Sequence, residues 1–465
     1  MVVVRCSRTS RCPSLISSLA ESSRRFSSHG PNSSHPSPIG LSPAALSHDL
    51  ANLLASGRSQ SETGKSLITQ LRRSGYCYVS VVPEPSSPLV SLALQELKVC
   101  ARTMMEATAR DAADCERCRT TTGFRGWYRY VGARGASRDN ISCFAIGRPV
   151  DTAEAAAALR LPYYSSIRGV TDTDELERIG IFRTNVWPYC STSAVGTRAG
   201  APRRLLEESF ERLADLAEHL LDFIALGLAA AVPQWTPALF PHLGTCSASI
   251  FRSALSNRDH SLELKLYPSL VPTSPSPRPR PTNQRTRRIN RTVVAQPLGV
   301  VTGSAVTGDE DAALSVDRLA SHQDLSMVTL LAQDNLGGLE VWDNRVQAFV
   351  AVPVLDDALL VNCGAFLDRW TAGFLEATPH RVRTLLSAGS SRALARCSAV
   401  FFTFPNFHQH IVPLSSPATV ASTVGDRFPP PHDPMASDAA PMASDAAPSA
   451  SFHAGDLFPT PEHSN

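Results

Sequence analysis

Apolar residues recur along this chain with two different periods, and the change of period divides it. Near the N-terminal side Leu67, Ile68 and Leu71 fall at helical spacing and lead into Gly75-Tyr76-Cys77-Tyr78-Val79-Ser80-Val81, a β-rich run, so helix, turn and strand are expected in that order. Residues 89–110 read as an amphipathic helix with Leu92, Leu97 and Val99 among its apolar positions. The strongest helical signal is Leu206, Phe210, Leu213, Ala217, Leu220 and Ile224, which step by four and three. Glu207, Glu208, Glu211, Arg212 and Asp215 largely occupy the opposite side, Pro202 stands near the start and Pro233 beyond the end. A helix with one such continuous apolar face is expected to pack against a sheet.

Later the period drops to two. Leu262-Glu263-Leu264-Lys265-Leu266-Tyr267-Pro268 alternates and reads as a strand ended by proline. Short β-type runs then crowd together: Val328-Thr329-Leu330-Leu331, Leu339-Glu340-Val341-Trp342, 348–352, 358–362, 382–386 and 399–404. Gly337-Gly338, Asp343-Asn344 and Asp356-Asp357 mark turns between them. That spacing is the one expected of a jelly roll or barrel.

Composition limits how much of the chain builds this body. With 465 residues, 35 prolines and several Ser-rich stretches, one globular body with tails and an insertion fits better than two or three average domains. Residues 1–42 contain Arg5, Arg8, Arg11, Arg24, Arg25 and many serines against the single acid Glu21, the composition of an organellar transit peptide, with Arg24-Arg25-Phe26-Ser27-Ser28 resembling a mitochondrial processing site. The expected location is therefore mitochondrial, with plastid or cytoplasm as alternatives. Residues 43–255 are expected to form an N-terminal α/β region and 256–414 the strand-rich core. That core is interrupted at about 272–312 by a Pro/Ser/Thr-rich mobile insertion bearing Arg278, Arg280, Arg285, Arg287, Arg288 and Arg291. A tail at 415–465 repeats Pro434-Met435-Ala436-Ser437-Asp438-Ala439-Ala440 as Pro441-Met442-Ala443-Ser444-Asp445-Ala446-Ala447 and is expected to be disordered.

Charge and cysteines exclude some function classes. Lys plus Arg is 44 against 42 for Asp plus Glu, so the net charge of +2 gives no reason to expect a nucleic-acid partner. Eleven cysteines without regular spacing argue against a disulfide framework. No apolar run is long enough to predict a membrane span.

Candidate chemistry is unevenly spread. Gly64-Lys65-Ser66 looks like the end of a phosphate-binding loop, but position 59, where that loop needs glycine, is Ser. Cys115-Glu116-Arg117-Cys118 is a lone CxxC, a weak metal signal. The stretch 123–130, rich in Arg, Trp and Tyr, reads as a loop that either shapes a pocket or lies on the surface. His219 reads as an ordinary helix histidine. Stronger is the set His322, Asp324 and His380, since two imidazoles and a carboxylate can form the face that holds Fe(II) with coordination positions left open. On an extended strand His322 and Asp324 point the same way, and His380 is expected from a strand near the other end of the roll. Arg396 and Ser398 are again two apart and could grip a carboxylate together, with Tyr267 adding a hydroxyl. The bland alternative, a surface Arg396, a satisfied His322 and a turn Asp324, stands beside this on spacing alone.

The block from His322-Gln323-Asp324 through Gly337-Gly338-Leu339-Glu340-Val341, Val361-Asn362-Cys363-Gly364, Arg369-Trp370-Thr371-Ala372-Gly373, Thr378-Pro379-His380-Arg381-Val382 and Arg396-Cys397-Ser398 resembles the Fe(II)/2-oxoglutarate-dependent dioxygenases of the isopenicillin N synthase-like superfamily. The likeness extends upstream through Leu266-Tyr267-Pro268, Asn185-Val186-Trp187-Pro188, Ser142-Cys143-Phe144-Ala145-Ile146-Gly147 and Gly75-Tyr76-Cys77-Tyr78-Val79, so it covers roughly 60–412. It implies a mainly β fold with packed helices: a double-stranded β-helix (jelly-roll) core with an N-terminal helical region. It implies Fe(II) held by His322, Asp324 and His380, and 2-oxoglutarate held by Arg396, Ser398 and Tyr267. O2 completes the site, and the partner is a small-molecule substrate. Two relatives of that reading remain: an oxidase resembling isopenicillin N synthase that consumes no 2-oxoglutarate, and a non-catalytic binding or scaffold protein on the same fold. The connection from Tyr267 to His322 is longer than the family's usual one, and Phe404 stands where many relatives place an acid.

Overall fold

The computed structural model describes residues 39–40, 59–80, 94–120, 125–130, 141–178, 180–188, 202–241, 248–269, 314–386, 394–414 and 452–453, all within a unit spanning Ser37–Asn465. Helix α1, Ser59–Ser74, buries Leu67, Ile68 and Leu71 as their spacing predicts. It ends at Gly75, whose φ of 75° lets its N–H turn back to the Leu71 carbonyl at 2.8 Å. Helix α2 is Leu94–Arg110, and its buried stripe is Leu94, Leu97, Ala101, Met104, Met105 and Thr108. Val99, expected inside, is 65% exposed: two residues on from Leu97 is about 200° around a helix, on the far side. Helix α3, Pro202–Ala231, buries every member of its predicted stripe, and Phe210 meets Phe401 of the sheet with ring centroids 5.3 Å apart.

Two helices touch backbone to backbone. A methyl group added at Gly64 of α1 would stand 2.4 Å from the Phe223 carbonyl oxygen and 2.8 Å from the Gly227 nitrogen of α3. One added at Gly227 would stand 2.4 Å from the Gly64 oxygen. Gly64-Lys65-Ser66 thus lies inside a helix, and its glycine serves a close crossing.

The strands are β1 (Ile39–Gly40), β2 (Tyr76–Ser80), β3 (Gly126–Tyr130), β4 (Ile141–Ile146), β5 (Ser261–Tyr267), β6 (Leu314–His322), β7 (Val328–Gln333), β8 (Leu339–Asp343), β9 (Ala348–Ala351), β10 (Ala358–Cys363), β11 (His380–Leu386), β12 (Arg396–Phe402), β13 (His410–Ile411) and β14 (Phe452–His453). An eight-stranded sheet runs β1-β2-β10-β7-β12-β5-β4-β3 and a four-stranded sheet runs β6-β11-β8-β9. Apart from the parallel β1–β2 pair, the described ladders are antiparallel. The two sheets face each other across a core containing Tyr76, Leu331, Leu360 and Val400 from one and Leu319, Leu339, Val341 and Val382 from the other. A second core, on the outer face of the large sheet, joins Leu264, Leu330, Ala399 and Phe401 to α1, α2 and α3. This is the jelly roll with packed helices that the strand spacing and the resemblance implied.

Four expectations change. Within the stretch 123–130 Arg125 is wholly buried, and from Gly126 onward the chain is not a loop but a strand paired with β4, Trp127 opposite Phe144. A short helix α4, Ala365–Trp370, was not foreseen, because one and a half turns carry too little periodicity to register. Within 1–42, Ile39–Gly40 pairs with Val79 and Ser80 of β2. Within 415–465, Phe452–His453 pairs with β13. Of the other segments expected to lie outside the core, the insertion at about 272–312 and the tail repeat at 434–447 fall outside the described residues. No described helix is long and apolar enough to cross a membrane.

Candidate active site

His322 ends β6, and Asp324 follows it in the connection to β7, not on an extended strand as expected. His380 opens β11, the neighbour of β6, and is the register partner of His322, so it comes from an adjacent strand and not from a strand near the other end of the roll. Pairing sets the rings 4.3 Å apart, and the His322 and His380 Nε2 atoms stand 3.7 and 3.6 Å from Asp324 Oδ1. One ligand atom from each lies within 4.8 Å of the others, and this is the cluster of metal-ligating type among the described residues.

The surroundings fit a divalent metal. His322 Nδ1–H donates to the Ala320 carbonyl at 2.9 Å and His380 Nδ1–H to the Thr378 carbonyl at 3.0 Å. A carbonyl only accepts, so both rings carry their proton on Nδ1 and present a bare Nε2 to the centre. Burial, reinforced by His380, lowers His322 to about 4, which keeps it neutral. Burial pushes the Asp324 carboxyl up, but His380, His322 and hydrogen bonds from Asn362 and Thr329 overcome it and hold the group at about 2. Those bonds, Thr329 Oγ1 at 2.8 Å and Asn362 Nδ2 at 3.0 Å, both go to Oδ2 and leave Oδ1 toward the histidines. Ser326 in turn lies 2.7 Å from Thr329 Oγ1. Thr378 is fixed as well, its hydroxyl donating to the Gly75 carbonyl at 2.9 Å. The spacing argument missed Thr329 and Asn362. Their signal was present as polar interruptions of otherwise apolar buried strands.

Arg396 and Ser398 share the inner face of β12, as the period of two predicts, and Tyr267 is the register partner of Arg396 on β5. The guanidinium is 3% exposed and lies over the Tyr267 ring at 4.9 Å. It donates to the Gly337 carbonyl at 2.9 Å, Gln333 Oε1 at 3.1 Å and Ser398 Oγ at 3.4 Å. All of these are neutral, and among the described residues no carboxylate forms an ion pair with Arg396. A buried cation with only neutral partners has its charge uncompensated and can take an anion as its partner. Triad and arginine line one cavity, with apolar walls from Leu319, Leu331, Val341, Leu360 and Val382. Cys115 and Cys118 lie elsewhere, their thiols donating to the Thr108 and Asp114 carbonyls.

Residues 307–405 match the family model of the 2OG-Fe(II) oxygenase superfamily, a span that contains the triad, Arg396 and Ser398. Over residues 307–405 the chain is therefore similar to the 2OG-Fe(II) oxygenase superfamily. The 2-oxoglutarate-dependent dioxygenase ecdK of Aspergillus rugulosus is 36% identical over 104 residues, 21% of this chain and 31% of that protein. The 2-oxoglutarate-dependent dioxygenase tropC of Talaromyces stipitatus is 33% identical over 111 residues, 24% of this chain and 32% of that protein. The chain thus spans about a third of the length of these curated relatives. The fold of a 2OG-Fe(II) oxygenase family protein from Caulobacter crescentus aligns with a TM-score of 0.52 at 16% identity, covering 91% of this chain and 97% of that one. A full-length Neurospora crassa protein, solved in complex with alpha-KG, aligns with a TM-score of 0.53 at 15% identity, covering 92% of this chain and 95% of that one.

Proposed function

We propose that this oxygenase couples decarboxylation of 2-oxoglutarate to oxidation, chiefly hydroxylation, of a small organic molecule. The observation that supports it is one cavity holding both an N,N,O triad and a buried arginine with no acid partner among the described residues. His322 and His380 through Nε2 and Asp324 through Oδ1 would hold Fe(II), and Arg396, Ser398 and Tyr267 would hold the far carboxylate of 2-oxoglutarate. When bound, iron with 2-oxoglutarate and O2 supplies the oxidising power, releasing succinate and CO2. The chain's own residues do the positioning. Carbonyls 320 and 378 aim the imidazoles, Thr329 and Asn362 orient the carboxylate, and the apolar walls keep water from the oxidised centre.

Purified protein with Fe(II), ascorbate and O2 is expected to form succinate from 2-oxoglutarate, and to lose this on His322→Ala and Arg396→Ala. Oxygen uptake independent of 2-oxoglutarate would instead indicate the isopenicillin N synthase type of chemistry. Failure to bind iron under nitrogen would leave only a binding or scaffold role. We further propose mitochondrial import directed by the arginine-rich leader, supported by its Arg and Ser content. A Met1 retained in the main cellular pool of the protein would refute it.

A further inference from the structure

Among the described residues lining the cavity, Lys265 is the cation besides Arg396, and the proposed iron and 2-oxoglutarate contacts leave it without a role. It lies on β5 opposite Ser398, two residues from Tyr267. Its side chain does not lean toward the arginine. Nζ is 3.3 Å from Glu263 Oε2 and 5.1 Å from the centre of the Phe402 ring, and Glu263 and Ser261 are the β5 partners of Val400 and Phe402. The ammonium is therefore displaced along β12 away from Arg396 and toward Phe402. Phe402 pairs on its other side with Thr329, which donates to Asp324. So the cavity has Arg396 and Tyr267 at one end, and Lys265, Phe402 and the triad at the other.

Charge decides what this end can receive. Burial disfavours the ammonium, but Glu263 foremost, with Cys143, Tyr267 and Asp324, keeps it protonated. Since Glu263, beside Lys265 on the same strand, does not line the cavity, the cavity meets the N–H groups of a cation whose charge is already balanced outside it. A second anion placed there would be buried without a counter-charge, whereas a neutral acceptor would gain a charge-assisted hydrogen bond. The half-buried Phe402 beside the ammonium, stacked with Phe404 at 6.3 Å, offers a flat apolar surface to the rest of the molecule.

We propose that Lys265 anchors the oxidised substrate through a neutral oxygen acceptor, a carbonyl or hydroxyl carried on a flat apolar body, and that Glu263 sets this preference for neutral over anionic substrates. This rests on the oxygenase reading, which supplies the iron end and the co-substrate end. Lys265 is a specificity residue here.

The test uses the full chain under nitrogen with Fe(II) and 2-oxoglutarate, and measures binding of benzamide, phenylacetamide, benzoate and phenylacetate by calorimetry. Wild type is expected to favour each amide over its carboxylate by about tenfold or more, the worth of a buried hydrogen bond to a charged group. Lys265→Met should weaken the amides by about that factor, and Lys265→Gln, which keeps an N–H donor, should restore most of it. Glu263→Gln should turn the preference toward the carboxylates. Unchanged amide binding in Lys265→Met, an unchanged ratio in Glu263→Gln, no binding of any probe to wild type, or loss confined to 2-oxoglutarate affinity would each overturn the proposal. Iron and 2-oxoglutarate affinities measured on the same wild-type samples separate this outcome from failure of the oxygenase reading, which would show as wild type binding neither.

Discussion

The two faces of strand β12 put the same backbone to opposite uses. Toward the helices it presents Cys397, Ala399 and Phe401, which join an apolar core with α1, α2 and α3. Toward the small sheet it presents Arg396, Ser398, Val400 and Phe402, which line the cavity. The outer face is closed by side chains that only pack, and it supplies the rigidity. The inner face can then hold a buried arginine and a strained charge balance without dissolving the fold. Substitutions on the outer face should cost stability, and those on the inner face should cost binding.

The largest effect is expected from Asp324→Ala, which removes the central donor of the triad while leaving the outer core intact. Iron content after dialysis should fall to background and succinate formation should vanish, with thermal unfolding little changed. Next comes the opposite case, Phe401→Ala, which opens a cavity beneath Phe210 and should lower unfolding free energy by about 3–5 kcal/mol in denaturant titrations. If that variant, while folded, also needed much more 2-oxoglutarate, the separation of the faces would be wrong. Arg396→Met should raise the 2-oxoglutarate concentration for half-maximal succinate formation by about 10- to 100-fold, the worth of hydrogen bonds to a buried charge. Thr329→Val should weaken iron binding by about 10-fold or somewhat more, because Asp324 keeps the Asn362 bond.

The smallest effect concerns the boundary between the two faces. His260 accepts the Phe404 N–H on Nδ1 and contacts Phe401 and Phe210, and burial first, then Arg258 and Arg148, lowers it to about 3. The unfolded chain takes up this proton near pH 6.5 and the folded one does not. Stability should therefore fall as pH drops below about 6.5, by at most about 1.4 kcal/mol per unit. His260→Gln should flatten that slope between pH 7 and 5, and an unaltered slope would show that other groups carry it.

Much of the site was legible in the sequence because it obeys local periods. Arg396 and Ser398 follow the strand period, and the long stripe of α3 follows the helix period. The failures have physical causes. Nothing local says that His380 would pair with His322, because register between strands 58 positions apart is set by the whole sheet. Lys265 was passed over because an alternating strand suggests that its polar residues face water. Here Leu262, Leu264 and Leu266 face the helices, and Lys265 and Tyr267 line the cavity. A polar face can therefore mean a lined cavity as readily as solvent, and alternation alone does not distinguish them.

Gly75 links the outside of the molecule to its centre. It closes α1, its carbonyl receives the Thr378 hydroxyl, and the Thr378 carbonyl receives His380 Nδ1–H. A methyl group at Gly75 would stand 2.4 Å from the Thr378 side chain. The direction in which one imidazole looks is thus inherited, through two successive hydrogen bonds, from a helix about three hundred positions earlier. A residue inserted at the junction of α1 and β2 would break this chain of hydrogen bonds at its first link.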